Sequence, residues 1–212
     1  MIIFTVILAV CVVVLLDVLW FRHARAKPTN VTIPSHITTI GDLAFAGLPN
    51  LTNVTIPGSV TEIGDLAFAG CLNLTSITLP DSVTKLGEGA FRGCTGLATI
   101  TIPVNVTRIE EDTFRDCSGL TTVVLPAGLT RIGEGAFFNC TALTSVTIPD
   151  SVTEIGESAF LGCTNLAAIT IPRSVTEIGI GAFLDCPRLQ ITVAPGNTKY
   201  SSNIVKGELQ KK

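Results

Sequence analysis

The sequence predicts an α/β solenoid of seven 23-residue coils with a parallel sheet on one face, preceded by a transmembrane helix. The first observation behind this prediction is a set of columns in which one residue type recurs every 23 positions. The proline column is Pro34, Pro57, Pro80, Pro103, Pro126, Pro149 and Pro172, and the phenylalanine column is Phe45, Phe68, Phe91, Phe114, Phe137, Phe160 and Phe183. The second observation is that a unit this short cannot bury its apolar side alone, so neighbouring units must stack.

Composition excludes one broad class of partner. Only 15% of the 212 residues are charged, and the formal net charge is −3. A nucleic-acid-binding surface needs clustered Lys and Arg side chains that neutralise phosphates. The sequence contains no large basic cluster, so we expect no nucleic-acid partner. Hydrophobic residues make up 47% of the chain, with a mean hydropathy of +0.55, which suits coils that share one continuous core.

Residues 1–21 are predicted to be a membrane segment. From residue 2 onward the segment is apolar apart from one threonine and one aspartate. A run of about 20 apolar residues is long enough for a helix that spans a bilayer. The linker that follows, residues 22–30, is basic and carries Arg22, Arg25 and Lys27. The positive-inside rule then places the coils in the cytoplasm of a single-pass membrane protein.

A cleaved signal peptide is the alternative interpretation of the same segment. Ala24 and Ala26 flank Arg25 and supply a small-x-small cleavage site, so cleavage near Ala26 would give a secreted protein. No Lys or Arg precedes the apolar run, however, and a signal peptide usually has a positive start. An uncleaved anchor is therefore favoured.

Each coil of the repeat region, residues 31–190, is predicted to contain a strand, a bend, a helical turn and a return. In the unit 143–163, apolar and polar residues alternate up to Ile148, which is typical of a strand with one buried face. Pro149 ends the strand because it cannot donate to a ladder. Glu157 is expected to open a helical turn, from which Phe160 and Cys163 point inward.

Three further columns carry polar or reactive side chains. The cysteine column is interpreted as small buried thiols, with disulfides between coils left open: Cys71, Cys94, Cys117, Cys140, Cys163 and Cys186. The acidic column is interpreted as a cap on each helical turn, with a cation site as the alternative: Asp42, Asp65, Glu88, Glu111, Glu134 and Glu157. In the third, mixed column we expect ion pairs between Glu62 and Lys85 and between Arg131 and Glu154.

A threonine column marks the candidate partner-binding face. The residues concerned lie on the outward side of the predicted strand, one per coil: Thr55, Thr78, Thr101, Val124, Thr147 and Thr170. Threonine also suits an exposed strand for purely structural reasons, so the column by itself does not prove a site. Because the face is polar and almost free of charge, it favours a protein or glycan partner over phosphate or DNA.

The consensus LxxITIPxSVTEIGxxAFxxCxxL resembles the BspA-like class of leucine-rich repeats, and the resemblance covers residues 31–212. It implies a right-handed solenoid with a parallel sheet on one face. It also implies roles in surface attachment and recognition. These roles favour an extracellular location for the coils, whereas the basic residues of the linker favour the cytoplasm. Residues 191–212 are similar to the family's closing strand and polar tail. Four positions depart from the consensus: Leu48, Glu110, Thr113 and Ala194.

No catalytic constellation is visible in the sequence. The chain has two histidines, His23 and His36, and neither can be matched to a nucleophile and an acid. The resemblance carries no catalytic residues either, so we expect no enzyme activity, no cofactor and no metal site. The favoured function is a non-catalytic binding module that uses the sheet face for protein or glycan recognition. A structural spacer and a membrane-tethered intracellular scaffold are the alternatives.

Overall fold

The computed structural model describes residues 29–205 and 208–211. This part of the chain forms a solenoid of about seven turns of about 23 residues each. Its regular elements are short strands. They are β1 (Asn30–Thr32), β2 (Thr39–Ile40), β3 (Asn53–Thr55), β4 (Glu62–Ile63), β5 (Lys85–Leu86), β6 (Thr99–Thr101), β7 (Arg108–Ile109), β8 (Thr122–Val124), β9 (Arg131–Ile132), β10 (Glu154–Ile155), β11 (Ala168–Ile171), β12 (Glu177–Ile178), β13 (Gln190–Val193), β14 (Tyr200–Val205) and β15 (Glu208–Lys211). We number the coils 1 to 7 as residues 31–53, 54–76, 77–99, 100–122, 123–145, 146–168 and 169–190.

The predicted parallel sheet is confirmed. We call it the first ladder: it consists of β1, β3, β6, β8, β11 and β13, with single bridges at Ser145 and between Ser76 and Thr99. Neighbouring strands pair in parallel and in register, as between Val31 and Val54, except that within the described residues no pairing joins β3 to Ser76. Successive side chains of a strand point to opposite faces, so each central Val or Ile is buried and its two neighbours are exposed.

A second parallel ladder, absent from the prediction, runs along another side of the coils. It consists of the two-residue strands β2, β4, β5, β7, β9, β10 and β12. In each strand the first residue faces solvent and the second is an inward-facing Ile or Leu, as with Glu154 and Ile155. The array is therefore held by a sheet on two of its sides rather than on one.

The predicted helical turn is wrong, and with it the α/β assignment, because the described residues form no helix. The segment from Glu157 to Cys163 is a series of turns with left-handed backbone at Ser158 (φ 53°) and Gly162 (φ 75°). Alternate N–H groups donate to the next coil instead of to their own: those of Ser158, Phe160 and Gly162 reach the carbonyls of Ile180, Ala182 and Leu184 at 3.0, 2.8 and 2.9 Å. In an α-helix these N–H groups would instead donate to carbonyls four residues earlier in the same coil.

The predicted transmembrane helix, residues 1–21, lies outside the described residues. Within residues 29–205 and 208–211, no helix is long and apolar enough to cross a membrane.

The C-terminal segment closes the array. β13 continues the first ladder beside β11, and β14 and β15 form an antiparallel hairpin after it. Tyr200 is buried, and its hydroxyl accepts a hydrogen bond from the Ile178 N–H at 2.8 Å. The Ile178 N–H belongs to β12, the last strand of the second ladder. The Tyr200 hydroxyl accepts its hydrogen bond in place of a carbonyl from a following coil.

Side chains of one column stack on each other through the core. The seven phenylalanine rings of the column form a continuous stack, with centroids 5.2 to 5.6 Å apart and planes within 4 to 11° of parallel. Each such pair contributes about 0.5–1.5 kcal/mol beyond its buried area. The stack fixes the distance between coils throughout the array.

The cysteine column lies beside this stack as free thiols, as predicted. Each thiol donates to the carbonyl of the phenylalanine 26 residues earlier, as from Cys117 Sγ to Phe91 O at 3.0 Å. Burial raises the pKa of Cys71 to about 11 and that of Cys117 to about 12, and it raises the pKa of the other four thiols as well. The thiols are therefore held in the protonated form that donates the bond.

We predict that the protein loses stability as pH rises above 9. An exposed thiol in the unfolded chain titrates near 9.0, whereas the folded thiols stay protonated to about 11 or higher. Above pH 9 the unfolded state alone loses protons, so each such thiol lowers the free energy of unfolding by about 1.4 kcal/mol per pH unit. Below pH 9 both states hold the proton, and the contribution is constant.

Denaturant unfolding of the wild type and of Cys94→Ala/Cys117→Ala, at pH 7 and from pH 9 to 11, measures this effect. The variant should be less stable at pH 7, since it loses two buried hydrogen-bonded groups. Its stability should then fall less steeply between pH 9 and 11. Equal slopes for the two proteins would show that the thiols do not control the alkaline transition.

Candidate partner-binding face

The structure places all six predicted site residues on one exposed surface. Each follows the buried Val or Ile of its first-ladder strand, and the parallel register sets one residue directly beside the next, as with Thr101 and Val124. The residue two positions earlier is exposed as well, and it is polar at five of the six positions. This second row is Asn53, Ser76, Thr99, Thr122, Ser145 and Ala168. We call the two rows together the threonine face.

Hydroxyl hydrogen bonds separate the threonine face from other threonines of the repeat. Five threonines that directly precede second-ladder strands each donate their hydroxyl to a carbonyl of the preceding coil: Thr61, Thr84, Thr130, Thr153 and Thr176. In the part of the chain that the structure describes, the hydroxyls of Thr55, Thr78, Thr101, Thr147 and Thr170 make no bond to protein. The first group holds coils together, whereas the second is available to a partner.

Two exposed apolar residues lie in the middle coils of the array. Val124 is 51% exposed and Val104, which follows Pro103 in the neighbouring coil, is 65% exposed. Val124 belongs to the predicted face, whereas Val104 was not predicted. The signal for Val104 was present, because the position after proline holds Gly58 and Asp81 in earlier coils.

A shallow groove of about 550 Å³ lies at the C-terminal end of this face. Ser145, Thr147 and Thr170 line it together with Asp150. Ala194 also lines the groove and stands where the repeat has proline. The buried residues Val146, Ile148 and Ile169 line it as well.

Charged side chains lie on the second-ladder side of the coils. Both predicted ion pairs of the mixed column are confirmed: Lys85 Nζ lies 2.7 Å from Glu62 Oε1, and Arg131 lies 3.1 Å from Glu154. The hydrogen bond and charge of Glu62 raise the pKa of the Lys85 ammonium. These pairs join neighbouring coils because the ladder places their positions side by side.

The acidic column does not cap a turn of its own coil, so that interpretation is wrong. Asp42 accepts a hydrogen bond from the backbone N–H of Asp65 at 2.8 Å, and Asp65 accepts one from that of Glu88 at 2.9 Å. Each of these carboxylates therefore links its coil to the next one. Within residues 29–205 and 208–211, no three His, Cys, Asp or Glu side chains lie together in an arrangement that could hold a metal ion.

Comparison with known families agrees with this architecture. The model of the BspA type leucine-rich repeat region matches residues 21–142 and 90–208, in six copies. The chain belongs to the BspA-type leucine-rich repeat family. The expected family resemblance is thereby confirmed, and leucine-rich repeat proteins generally bind other proteins.

Solved leucine-rich repeat structures are similar to parts of this BspA-type chain. A leucine-rich repeat protein from Eubacterium ventriosum is 35% identical, with a TM-score of 0.51 over 64% of this chain and 43% of its own. A Treponema pallidum leucine-rich repeat protein is 31% identical, with a TM-score of 0.49 over 77% of this chain and 79% of its own. A leucine-rich cell surface protein from Faecalibacterium prausnitzii is 28% identical, with a TM-score of 0.45 over 79% of this chain.

The BspA-type chain is short beside several of these structures. It spans 60% of the Faecalibacterium prausnitzii protein and 56% of a leucine-rich repeat protein from Bacteroides ovatus. No curated protein matches the chain significantly.

We predict that two threonine-to-valine substitutions separate the structural from the available hydroxyls. Thr130→Val removes a hydroxyl that donates to Thr107 O at 2.9 Å, and it should lower the free energy of unfolding by about 0.5–1.5 kcal/mol. Thr147→Val removes a hydroxyl without a protein partner and should change stability by less than about 0.5 kcal/mol. Chemical denaturation of both variants is the measurement, and an equal loss in the two would remove the distinction.

Proposed function

We propose that this BspA-type protein is a non-catalytic binding module whose threonine face contacts another protein. The observation that carries the proposal is the set of five exposed threonine hydroxyls without a protein partner, ordered by the first ladder. Between paired strands the parallel register holds neighbouring hydroxyls in a fixed order, so a partner meets groups that are already in place and little order is lost on binding. The family is generally non-enzymatic, which agrees with a binding role.

The middle of the face favours a protein over a glycan as the partner. Binding energy in protein interfaces concentrates in a few central contacts that exclude water, surrounded by weaker polar contacts. Val124 is an exposed apolar centre between Thr101 and Thr147 in its row, and Val104 is exposed in the neighbouring coil. A complementary apolar side chain on a protein partner would bury this centre.

Site-specific photo-crosslinking on full-length protein in its native cells tests the proposal. A photoreactive residue at Thr147 should give one discrete protein adduct. The adduct should be lost when Thr101→Glu is added, because a buried charge without a partner disrupts an interface. The matched control is Thr39→Glu on the second ladder, where Glu62 and Glu154 already occupy the same column, and it should leave the adduct intact.

Two results would argue against the threonine face. One is an adduct from Thr147 that survives Thr101→Glu. The other is an adduct that Thr39→Glu removes equally well, since such a loss would reflect a general effect of added charge. A protease-resistant adduct would identify a glycan as the partner and would contradict the choice of a protein.

We further propose that residues 2–21 anchor the protein in a membrane as a single-pass segment, with the coils outside the cytoplasm. The length and apolarity of the segment support the anchor. The family roles in surface attachment support a location of the coils outside the cytoplasm. Protease protection of a C-terminal tag in sealed vesicles, with carbonate extraction, tests both statements. Digestion of the tag from the cytoplasmic side would make the protein an intracellular scaffold, and release by carbonate would exclude the anchor.

A further inference from the structure

A column of glycines sets how closely the coils approach in the second ladder. The residue after each ladder strand is glycine in six of the seven coils: Gly41, Gly64, Gly87, Gly133, Gly156 and Gly179. A Cβ at Gly87 would lie 2.5 Å from the Asp65 nitrogen, and one at Gly156 would lie 2.5 Å from the Glu134 nitrogen. Glycine is needed here for contact between backbones and not for an unusual backbone angle.

Glu110 is the exception, and the second ladder is interrupted at that point. The strands divide into one sheet of β2, β4 and β5 and another of β7, β9, β10 and β12, with no pairing between β5 and β7. At other junctions the residue in the glycine column donates its N–H to the preceding coil, as from Gly133 to Ile109 O at 2.8 Å. For the described residues, the corresponding bond from Glu110 to Leu86 O is not formed.

The threonine that precedes the strand shows the same interruption. At the neighbouring junctions, Thr84 and Thr130 each donate both N–H and hydroxyl to a threonine carbonyl of the preceding coil. Across the junction between coils 3 and 4, and within the described part of the chain, Thr107 makes neither bond to Thr84. The Cβ of Glu110 explains both losses, because it occupies the space in which the backbones would meet.

The rest of the same junction is closed. The turn segments stay bonded, with the Phe91 N–H donating to Thr113 O at 2.9 Å. The Phe91 and Phe114 rings remain stacked at 5.6 Å and 4°. In the first ladder, the bridge between Ser76 and Thr99, the residues that lead directly into coils 3 and 4, is intact. The opening is therefore confined to one side of the solenoid.

Side chains of coil 4 stabilise the altered backbone from within that coil and from coil 5. Thr113 replaces the usual alanine, is buried, and donates its hydroxyl to Glu110 O at 2.8 Å. The Arg115 guanidinium lies over the Phe138 ring, 4.1 Å from its centroid. Asn139 donates to Asp116 Oδ1 at 3.1 Å. Coil 4 is thus tied to coil 5, while within the described residues Thr107 and Glu110 donate no second-ladder hydrogen bond to coil 3.

We propose that the junction between coils 3 and 4 is a built-in hinge. It divides the array into two bodies, residues 31–98 and residues 99–190, which flex about the first ladder and the turn segments. Bending at this point changes the angle between the two parts of the threonine face, with Thr78 on one body and Thr101 on the other. Glu110 is the residue that keeps the hinge open.

Hydrogen exchange measured by mass spectrometry on the full-length protein tests the hinge. In the wild type, the amides of Thr107 and Glu110 should exchange at least about tenfold faster than those of Thr130 and Gly133 at the next junction. Glu110→Gly restores the column residue and should slow exchange at Thr107 to the rate seen at Thr130. Gly181→Ala is a control that changes another column, and it should leave the exchange rate of Thr107 unchanged.

Equal protection of Thr107 and Thr130 in the wild type would overturn the hinge, and this comparison requires no variant. Unchanged exchange at Thr107 in a folded Glu110→Gly protein would also overturn it, since the opening would then have another cause. Slower exchange at Thr107 alone, with Thr130 unaffected, is the result that the hinge predicts.

Discussion

The structure depends on the stacking of one coil on the next at a nearly constant distance. The phenylalanine rings set this distance at 5.2 to 5.6 Å through seven coils. Once the distance is fixed, every position of a coil lies next to the same position of its neighbour. The residues of each column must therefore be able to pack against one another. Rings stack, thiols donate to the carbonyl beside them, and glycines admit a close backbone. The 23-residue periodicity of the sequence follows from this constraint.

A stack of this kind must satisfy its last coil without a further neighbour. Tyr200 does so at the C-terminal end, where its hydroxyl accepts from Ile178 N–H and donates to Thr176 O at 3.5 Å. Asn197 supports it by donating to the carbonyls of Pro172 and Val175 and by accepting from the Tyr200 N–H. Outward-facing positions carry no such constraint. The threonine face and its apolar centre therefore occupy the part of the molecule in which sequence can vary without loss of the fold.

Columns were predictable from the sequence, and the path of the chain between them was predictable only in part. The inward phenylalanines, the buried thiols and the pair of Glu62 with Lys85 follow from the repeat alone, because residues 23 positions apart must be neighbours. The turn at Ser158 was missed because a spacing of three and four residues fits a helix and this turn equally well. Left-handed backbone at a serine arises from bonds to the next coil, which local sequence does not reveal. The second ladder was missed because its strands are two residues long, and Val104 because its exposure depends on the neighbouring coil.

The free energy of unfolding of two phenylalanine variants tests most directly whether coil stacking stabilises the array. Phe114 is fully buried between two rings, whereas Phe45 is half-buried and stacks on one ring. Phe114→Leu should lower the free energy of unfolding by about 2–3 kcal/mol, and Phe45→Leu should lower it by about half as much. An equal loss in the two variants would contradict the account, because the contribution of a ring would then not depend on the coils at its two sides.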